Sequence, residues 1–230
     1  MAKPKTAFFV TGTDTEVGKT LISAAILQKA GARGLKTIGL KPLAAGCEET
    51  PEGLRNEDAL TLQAHSSVEL PYEVVNPVSL KLAIAPHIAA EQEGRALNLS
   101  RLEGLCRGAL MQPYDLAIVE GAGGWRVPIN QRHTLAHLAQ SLGFKVILVV
   151  GLRLGCINHA LLSAEAIRAD GLEIAGWVVN QVQPEMAYSE ANISSIEQRI
   201  MAPCIGKLPY LGATATVVDA AQYIDLDVLI

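Results

Sequence analysis

At 230 residues, half of them hydrophobic and 18% charged, the chain is long enough to bury a large core and falls within the size of one α/β domain. A formal charge of −4 with no long basic cluster excludes the electrostatic footprint of a nucleic-acid-binding protein. An aromatic share of 4% leaves a core of Leu, Ile, Val and Ala, which suits parallel strands covered by helices on both faces.

In chain order, the lysines near the N-terminus precede an apolar stretch, Ala7–Val10, too short for a signal peptide or a membrane span. Thr6–Val10 reads as a buried strand, followed by a glycine-rich turn and a helix from Thr20 to about Ala32. Thr37–Leu40 is a second apolar run, Ala44–Arg55 a polar loop, and Asn56–His65 a helix. Residues 66–99 contain Pro71, Pro77 and Pro86, and no element is assigned there. A helix at Leu99–Met111 leads into a strand at Asp115–Glu120, a loop at Gly121–Gly124 and a short helix at Thr134–Leu142. The strand Lys145–Val150, the helix Ile157–Ala169 and the strand Ile174–Asn180 continue the pattern. A helix near Glu190–Ile200, a short strand Cys204–Gly206 and a closing helix complete it. Strands alternating with helix-length connections predict βαβ crossovers and a mostly parallel sheet flanked by helices, in one domain over residues 1–230. Four scattered cysteines, Cys47, Cys106, Cys156 and Cys204, predict reduced thiols in a soluble, cytoplasmic protein rather than disulfides or a zinc site.

The strongest chemical signal is Gly12-Thr13-Asp14-Thr15-Glu16-Val17-Gly18-Lys19-Thr20. It leaves a strand and opens a helix, the context of a phosphate-binding loop. Glycines let backbone approach phosphate, and N–H groups at the helix start face the anion. Lys19 would reach the terminal phosphates and the Thr20 hydroxyl would bind Mg2+. Five residues, rather than the common four, separate Gly12 from Gly18. Glu120 ends a strand just before Gly121, where ligands of an open parallel sheet collect, and is placed to be a second Mg2+ ligand. Lys41 leaves the end of the run Thr37–Leu40 and is stiffened by Pro42. It could stabilise charge on a transferred phosphoryl group or on a carboxylated substrate. Asp58, taken alone, reads as an acidic residue favouring a helix start.

Several phrases together resemble the dethiobiotin synthetase family of biotin biosynthesis. Besides the long phosphate loop they are Lys41-Pro42, Asn56-Glu57-Asp58-Ala59-Leu60, Pro86-His87-Ile88-Ala89-Ala90 and Val119-Glu120-Gly121-Ala122-Gly123-Gly124-Trp125. Val149 to Ala160, including Gly155-Cys156-Ile157-Asn158, and Gly176-Trp177-Val178-Val179-Asn180 follow in the same order. The extended phosphate loop is the form that this family resembles.

The resemblance implies a three-layer P-loop NTPase-like fold and a ligase reaction. CO2 is joined to 7,8-diaminononanoate with Mg2+ and ATP, through a carbamate and a carbamic-phosphoric mixed anhydride, giving dethiobiotin, ADP and phosphate. It implies that Thr20, Asp58 and Glu120 hold Mg2+, and that Lys41, Lys19 and Thr15 act in catalysis. The nucleotide site would run from Glu16 through Val17, Gly18, Lys19 and Thr20 to Leu21, with Gly121, Ala122 and Gly123 close to the phosphates. Asn180 and Gln181 would meet adenine, with Leu208, Pro209 and Tyr210 on its other side. The family works as a homodimer, and Gly155, Cys156, Ile157 and Asn158 would receive the substrate carboxylate across the interface. Lys41 and Ala45 would complete the substrate site. Ala45 stands where the family often has Ser or Thr, which removes a hydroxyl from that site. Ala85-Pro86-His87 replaces the frequent Ser-Pro-His, and Gln181-Val182-Gln183-Pro184-Glu185 is an untypical adenine loop.

His133 and His137 are spaced i, i+4 but lack a third ligand, so they read as two partly exposed histidines rather than a zinc site. His87 and His159 default to hydrogen bonding, and Cys156 to packing as a small buried residue. The rival reading is a MinD/ParA-like switch ATPase. Against it, residues Thr13 to Val17 contain no lysine, and no amphipathic membrane-binding tail is evident. A corrinoid amidotransferase would need a further glutaminase domain, for which the length leaves no room.

Overall fold

The computed structural model describes residues 5–212 and 214–230. Strand β1 (Thr6–Gly12) leads through a tight turn into helix α1 (Lys19–Ala32). Then come β2 (Thr37–Leu40), β3 (Leu43–Ala44), β4 (Glu48–Thr50), β5 (Gly53–Arg55) and α2 (Glu57–Ala64). After α3 (Tyr72–Val75), β6 (Val78–Ser79), α4 (Pro86–Gln92) and α5 (Leu99–Ala109), the chain enters β7 (Leu116–Glu120). It ends with α6 (Leu135–Leu142), β8 (Lys145–Leu152), α7 (Cys156–Ala169), β9 (Ile174–Gln181), α8 (Ser189–Glu197), β10 (Cys204–Leu208) and α9 (Val217–Ala221).

Six strands form one sheet in the order β10-β9-β8-β1-β7-β2, every pair parallel. Successive side chains of a strand point to opposite faces, and here both faces are covered. Phe8, Val10, Leu116, Ile118, Ile147 and Val149 join one buried cluster with Ile22, Ile26 and Leu27 of α1. Phe9, Ala117, Val119, Val146, Leu148 and Val150 join the other with residues of α5, α6 and α7. Strands buried on both sides carry no polar alternation, which is why each reads as a continuous apolar run.

Register then sets the site. Val10 lies opposite Glu120 and Leu40 opposite Val119. The turn after β1, the last residue of β7 and the first residue beyond β2 therefore emerge side by side. Asn56 caps α2 by accepting from the Ala59 N–H, so Asp58 sits in a first turn with a fixed start.

The structure revises several expected boundaries. The polar stretch 44–55 is not a loop throughout: Glu48–Arg55 forms an antiparallel hairpin. Residues 66–99 contain α3, β6 and α4, with Pro86 at the start of α4, where its missing N–H costs no helical bond. Strands β1, β8, β9 and β10 extend past their expected ends by two, two, one and two residues. Backbone pairing carries these extensions, which side-chain hydropathy does not mark. The closing helix α9 spans five residues.

Candidate active site

The phosphate loop bends through two left-handed residues, Glu16 (φ 58°) and Gly18 (φ 86°). At Gly18 this suits glycine twice over, because a Cβ there would lie 2.3 Å from Asn180 Nδ2. Glu16 is a non-glycine residue in the same region, the kind of backbone strain that collects at functional loops. Asn180 Nδ2 donates to the Val17 carbonyl at 3.1 Å, and the Val17 side chain is buried. Gly18 begins α1, whose first residues are Lys19 and Thr20. Lys19 Nζ donates to the Asp14 carbonyl at 3.1 Å. Burial, and then the neighbouring Lys41 charge, pull its ammonium below the usual lysine range.

Lys41 is the centre of the charged cluster. Its Nζ lies 2.7 Å from Glu120 Oε1, 2.8 Å from Asp58 Oδ2 and 3.1 Å from the Gly121 carbonyl. The Thr20 hydroxyl donates to the same Glu120 oxygen at 2.8 Å. Lys41 is 3% exposed and Glu120 0%. Burial alone would lower the Lys41 pKa, but the charges of Glu120 and Asp58 outweigh it and hold the ammonium above its ordinary range. Desolvation likewise pushes Asp58 up, and the Lys41 charge and hydrogen bond more than reverse this.

Thr20, Asp58 and Glu120 fit Mg2+ by their donor chemistry. Glu120 Oε2 is buried without a hydrogen-bond partner, an unsatisfied anionic oxygen of the kind that calls for a cation. Among the described residues, no group of three or more His, Cys, Asp or Glu could hold a metal. Two carboxylates and a hydroxyl are nonetheless what Mg2+ commonly takes from a protein when phosphates and water complete its shell.

A cavity of about 750 Å3 opens over this cluster. Thr15, Glu16, Gly18, Lys19, Thr20, Lys41, Ala45, Asp58, Ala122 and Gly123 line it. Its opposite wall is apolar, formed by Ala44, Ala83–Pro86, Val127 and Pro128. Ala83 and Ile84 fall in the stretch 66–99, to which no element is assigned from the sequence, and neither they nor Ala44, Val127 and Pro128 are individually named there as site residues. Asn56 also lines the cavity, through its place as the cap of α2.

Other expected residues lie outside that cavity. Asn180 and Gln181 end β9, and Leu208 ends β10 beside Pro209 and Tyr210, with Leu208 paired to Asn180. Leu21 is partly buried, packed against the core cluster on α1's side of the sheet. Gly155 starts α7 in a left-handed conformation. The Cys156 side chain is buried, in agreement with packing, and its N–H is already taken by the Arg153 carbonyl at 2.9 Å. Next in the same first turn, Ile157 and Asn158 carry N–H groups of the helix start that have no intrahelical acceptor. His133 and His137 pack edge to face at 5.6 Å, and His137 accepts from the Thr134 N–H to close the cap of α6. That is a structural role for the pair.

Among solved structures, the chain is similar to MinD of Pyrococcus horikoshii complexed with Mg-ADP, with a TM-score of 0.57 at 13% identity over 96% of this chain and 88% of that one. It is also similar to FtsY of Thermotoga maritima, with a TM-score of 0.53 at 14% identity over 100% of this chain and 70% of that one. At such identities the likeness is one of fold. Fold and site together define a P-loop nucleotide-binding protein, and a family model described as an AAA domain matches residues 6–218. The chain is 57% identical to the ATP-dependent dethiobiotin synthetase BioD of Cellvibrio japonicus, over 98% of each chain. It is 55% identical to that of Marinobacter nauticus, over 92% of this chain and 91% of that one, and 45% identical to that of Vibrio vulnificus, over 97% and 98%. The chain belongs to the dethiobiotin synthetase family.

Proposed function

We propose that the chain is an ATP-dependent ligase that joins CO2 to 7,8-diaminononanoate and closes the ureido ring of dethiobiotin, releasing ADP and phosphate. The observation that carries this reading is the convergence of Lys41, Asp58, Glu120 and Thr20 beside the phosphate loop, in a chain 57% identical to a named dethiobiotin synthetase. One amine takes up CO2 as a carbamate. A carbamate oxygen attacks the γ-phosphorus of ATP and the bond to ADP breaks, leaving a mixed anhydride. The second amine attacks the anhydride carbon and expels phosphate, with one proton lost from each nitrogen that becomes acylated.

The protein's part in this sequence is mostly placement and charge. Lys19 and the N–H groups of the phosphate loop hold the terminal phosphates. Thr15 stands at the mouth of the loop, over the transferring group. Lys41, held charged by two carboxylates, offers a fixed positive charge to the carbamate and the moving phosphoryl group without reorganising. Thr20, Asp58 and Glu120 would hold Mg2+, which when bound neutralises phosphate charge. The apolar wall from Ala83 to Pro86 suits the aliphatic chain of the diamine. Asn180, Gln181, Leu208, Pro209 and Tyr210 form the adenine side, although one N–H of Asn180 already serves Val17.

A homodimer belongs to the same proposal, with the N–H groups of Ile157 and Asn158 receiving the substrate carboxylate from the partner side. Leu154, 95% exposed at the turn before α7, is an apolar side chain that such a contact would cover. No helix among the described residues is long and apolar enough to cross a membrane; a cytoplasmic location and a single domain over residues 1–230 belong to the same proposal.

Phosphate release from Mg-ATP and bicarbonate, with and without 7,8-diaminononanoate, tests the reaction, with mass detection of product. Release that depends on the diamine and yields a cyclic urea is expected. Release indifferent to the diamine would overturn the reading in favour of a switch ATPase, towards which only the fold likeness to MinD now points.

A further inference from the structure

The phosphate loop is one residue longer than the common form, and the structure holds its two ends differently from its middle. At one end the Thr13 N–H donates to the Val149 carbonyl at 2.9 Å, and the Gly151 N–H approaches the Thr13 hydroxyl at 3.4 Å. At the other end Val17 is seated on Gly151, so closely that a Cβ on Gly151 would lie 2.7 Å from Val17 Cγ1. Residues 14–16 between them include the left-handed Glu16. Among the described residues, the one side chain from beyond Thr20 that pairs with or hydrogen-bonds to this middle segment is Arg153, through the Asp14 carboxylate.

Asp14 is spent in three directions. Its Oδ2 takes the Arg153 guanidinium, its Oδ1 accepts the Thr15 N–H at 2.8 Å, and its carbonyl accepts Lys19 Nζ at 3.1 Å. Arg153 lies on the turn between β8 and α7, where its own carbonyl accepts the Cys156 N–H. One residue thus caps the start of α7 with its backbone and holds the phosphate loop with its side chain.

We propose that Arg153 is a positioning residue for nucleotide binding, which fixes Asp14 and through it the Thr15 N–H and the Lys19 ammonium. The inference rests on the nucleotide site proposed above. A loop ordered in advance loses less conformational freedom when phosphate arrives, so the pair acts on affinity. It acts little on stability, because Arg153 is 34% and Asp14 47% exposed and exposed pairs contribute little to folding.

Titration calorimetry with Mg-ADP tests it on the full chain, beside steady-state kinetics. Arg153→Ala and Asp14→Asn are each expected to raise Kd roughly three- to tenfold, as befits a charged hydrogen bond lost from a pre-organised loop. The double variant should bind within about twofold of the weaker single, since the two changes remove one contact. Arg153→Lys should recover most of the affinity, and in Arg153→Ala the KM for ATP should rise while kcat at saturation falls less than about twofold. Wild-type affinity in Arg153→Ala, losses that multiply in the double variant, or a fall in kcat at unchanged KM would each overturn the assignment. So would a melting midpoint that drops with the affinity, since that marks Arg153 as a folding residue. Failure of the wild-type chain to bind Mg-ADP would instead overturn the nucleotide site itself.

Discussion

A lysine ammonium flanked by two carboxylates in a buried site has little freedom to move or to lose its proton. Lys41 is in that position, and the charge it presents is part of the architecture rather than a response to substrate. Replacing it with methionine keeps most of the volume and removes the charge. Lys41→Met is expected to lower kcat by about two to three orders of magnitude, the usual cost of one pre-organised charge at a reacting group. Mg-ADP affinity by calorimetry should change much less, and a parallel loss there would make Lys41 a phosphate anchor instead. The same cluster gives a pH dependence. The Asp58 carboxyl is held below its ordinary value of 3.8, so the stability it contributes is fully present above that pH. The contribution is lost as pH falls through the depressed folded value. Urea midpoints by circular dichroism should therefore fall below about pH 4 in the wild-type chain. In Asp58→Asn that acid-limb loss should be shallower; an unchanged slope would mean the Lys41 pairing gives Asp58 no net stabilisation.

At the scale of elements, the tight points are where backbone meets side chain at the carboxyl ends of the strands. Val17 against Gly151 is the clearest: a methyl group on Gly151 has no room unless Val17 and the phosphate loop move. Gly151→Ala is expected to destabilise the chain by about 1–3 kcal/mol through overpacking. Val17→Ala/Gly151→Ala should lose less than the sum of its parts, by about 1 kcal/mol of coupling, and additive urea midpoints would show that the contact is not the cause. Contacts like this were out of reach of the sequence, because nothing at position 151 refers to position 17. What was legible had local signals: a phosphate loop framed by a strand and a helix, apolar runs buried on both faces, a carboxylate ending a strand. Lys41, Asp58 and Glu120 were named from the family resemblance and strand-end logic, but their meeting at one ammonium follows from parallel register. The hairpin of Glu48–Arg55 and the cavity wall of Ala83–Pro86 had no apolar periodicity to announce them. Arg153 and Asp14 look like ordinary loop charges until the fold brings them together.

Taken as a whole, the molecule spreads the charged cluster over four places in the chain: Lys19 and Thr20 on α1, Lys41 after β2, Asp58 on α2 and Glu120 at the end of β7. A ligand that engages all of them bridges segments far apart in the chain, and so should stabilise the fold as a unit. At a hundred times its Kd, a ligand bound only by the folded state adds about 2.7 kcal/mol. In a chain of this size each kcal/mol moves the melting midpoint by about 2–4 °C, giving a shift of about 5–11 °C. Scanning calorimetry with Mg-ADP should show that shift in a single transition, as expected if residues 1–230 form one domain. Chelation of Mg2+ should cut the shift sharply, because the carboxylates of Asp58 and Glu120 repel the phosphates unless a cation bridges them. An equal shift with and without Mg2+ would remove those three residues from a metal site. Two separate transitions, only one of them moved by nucleotide, would show that the charged cluster does not tie these elements into one cooperative unit.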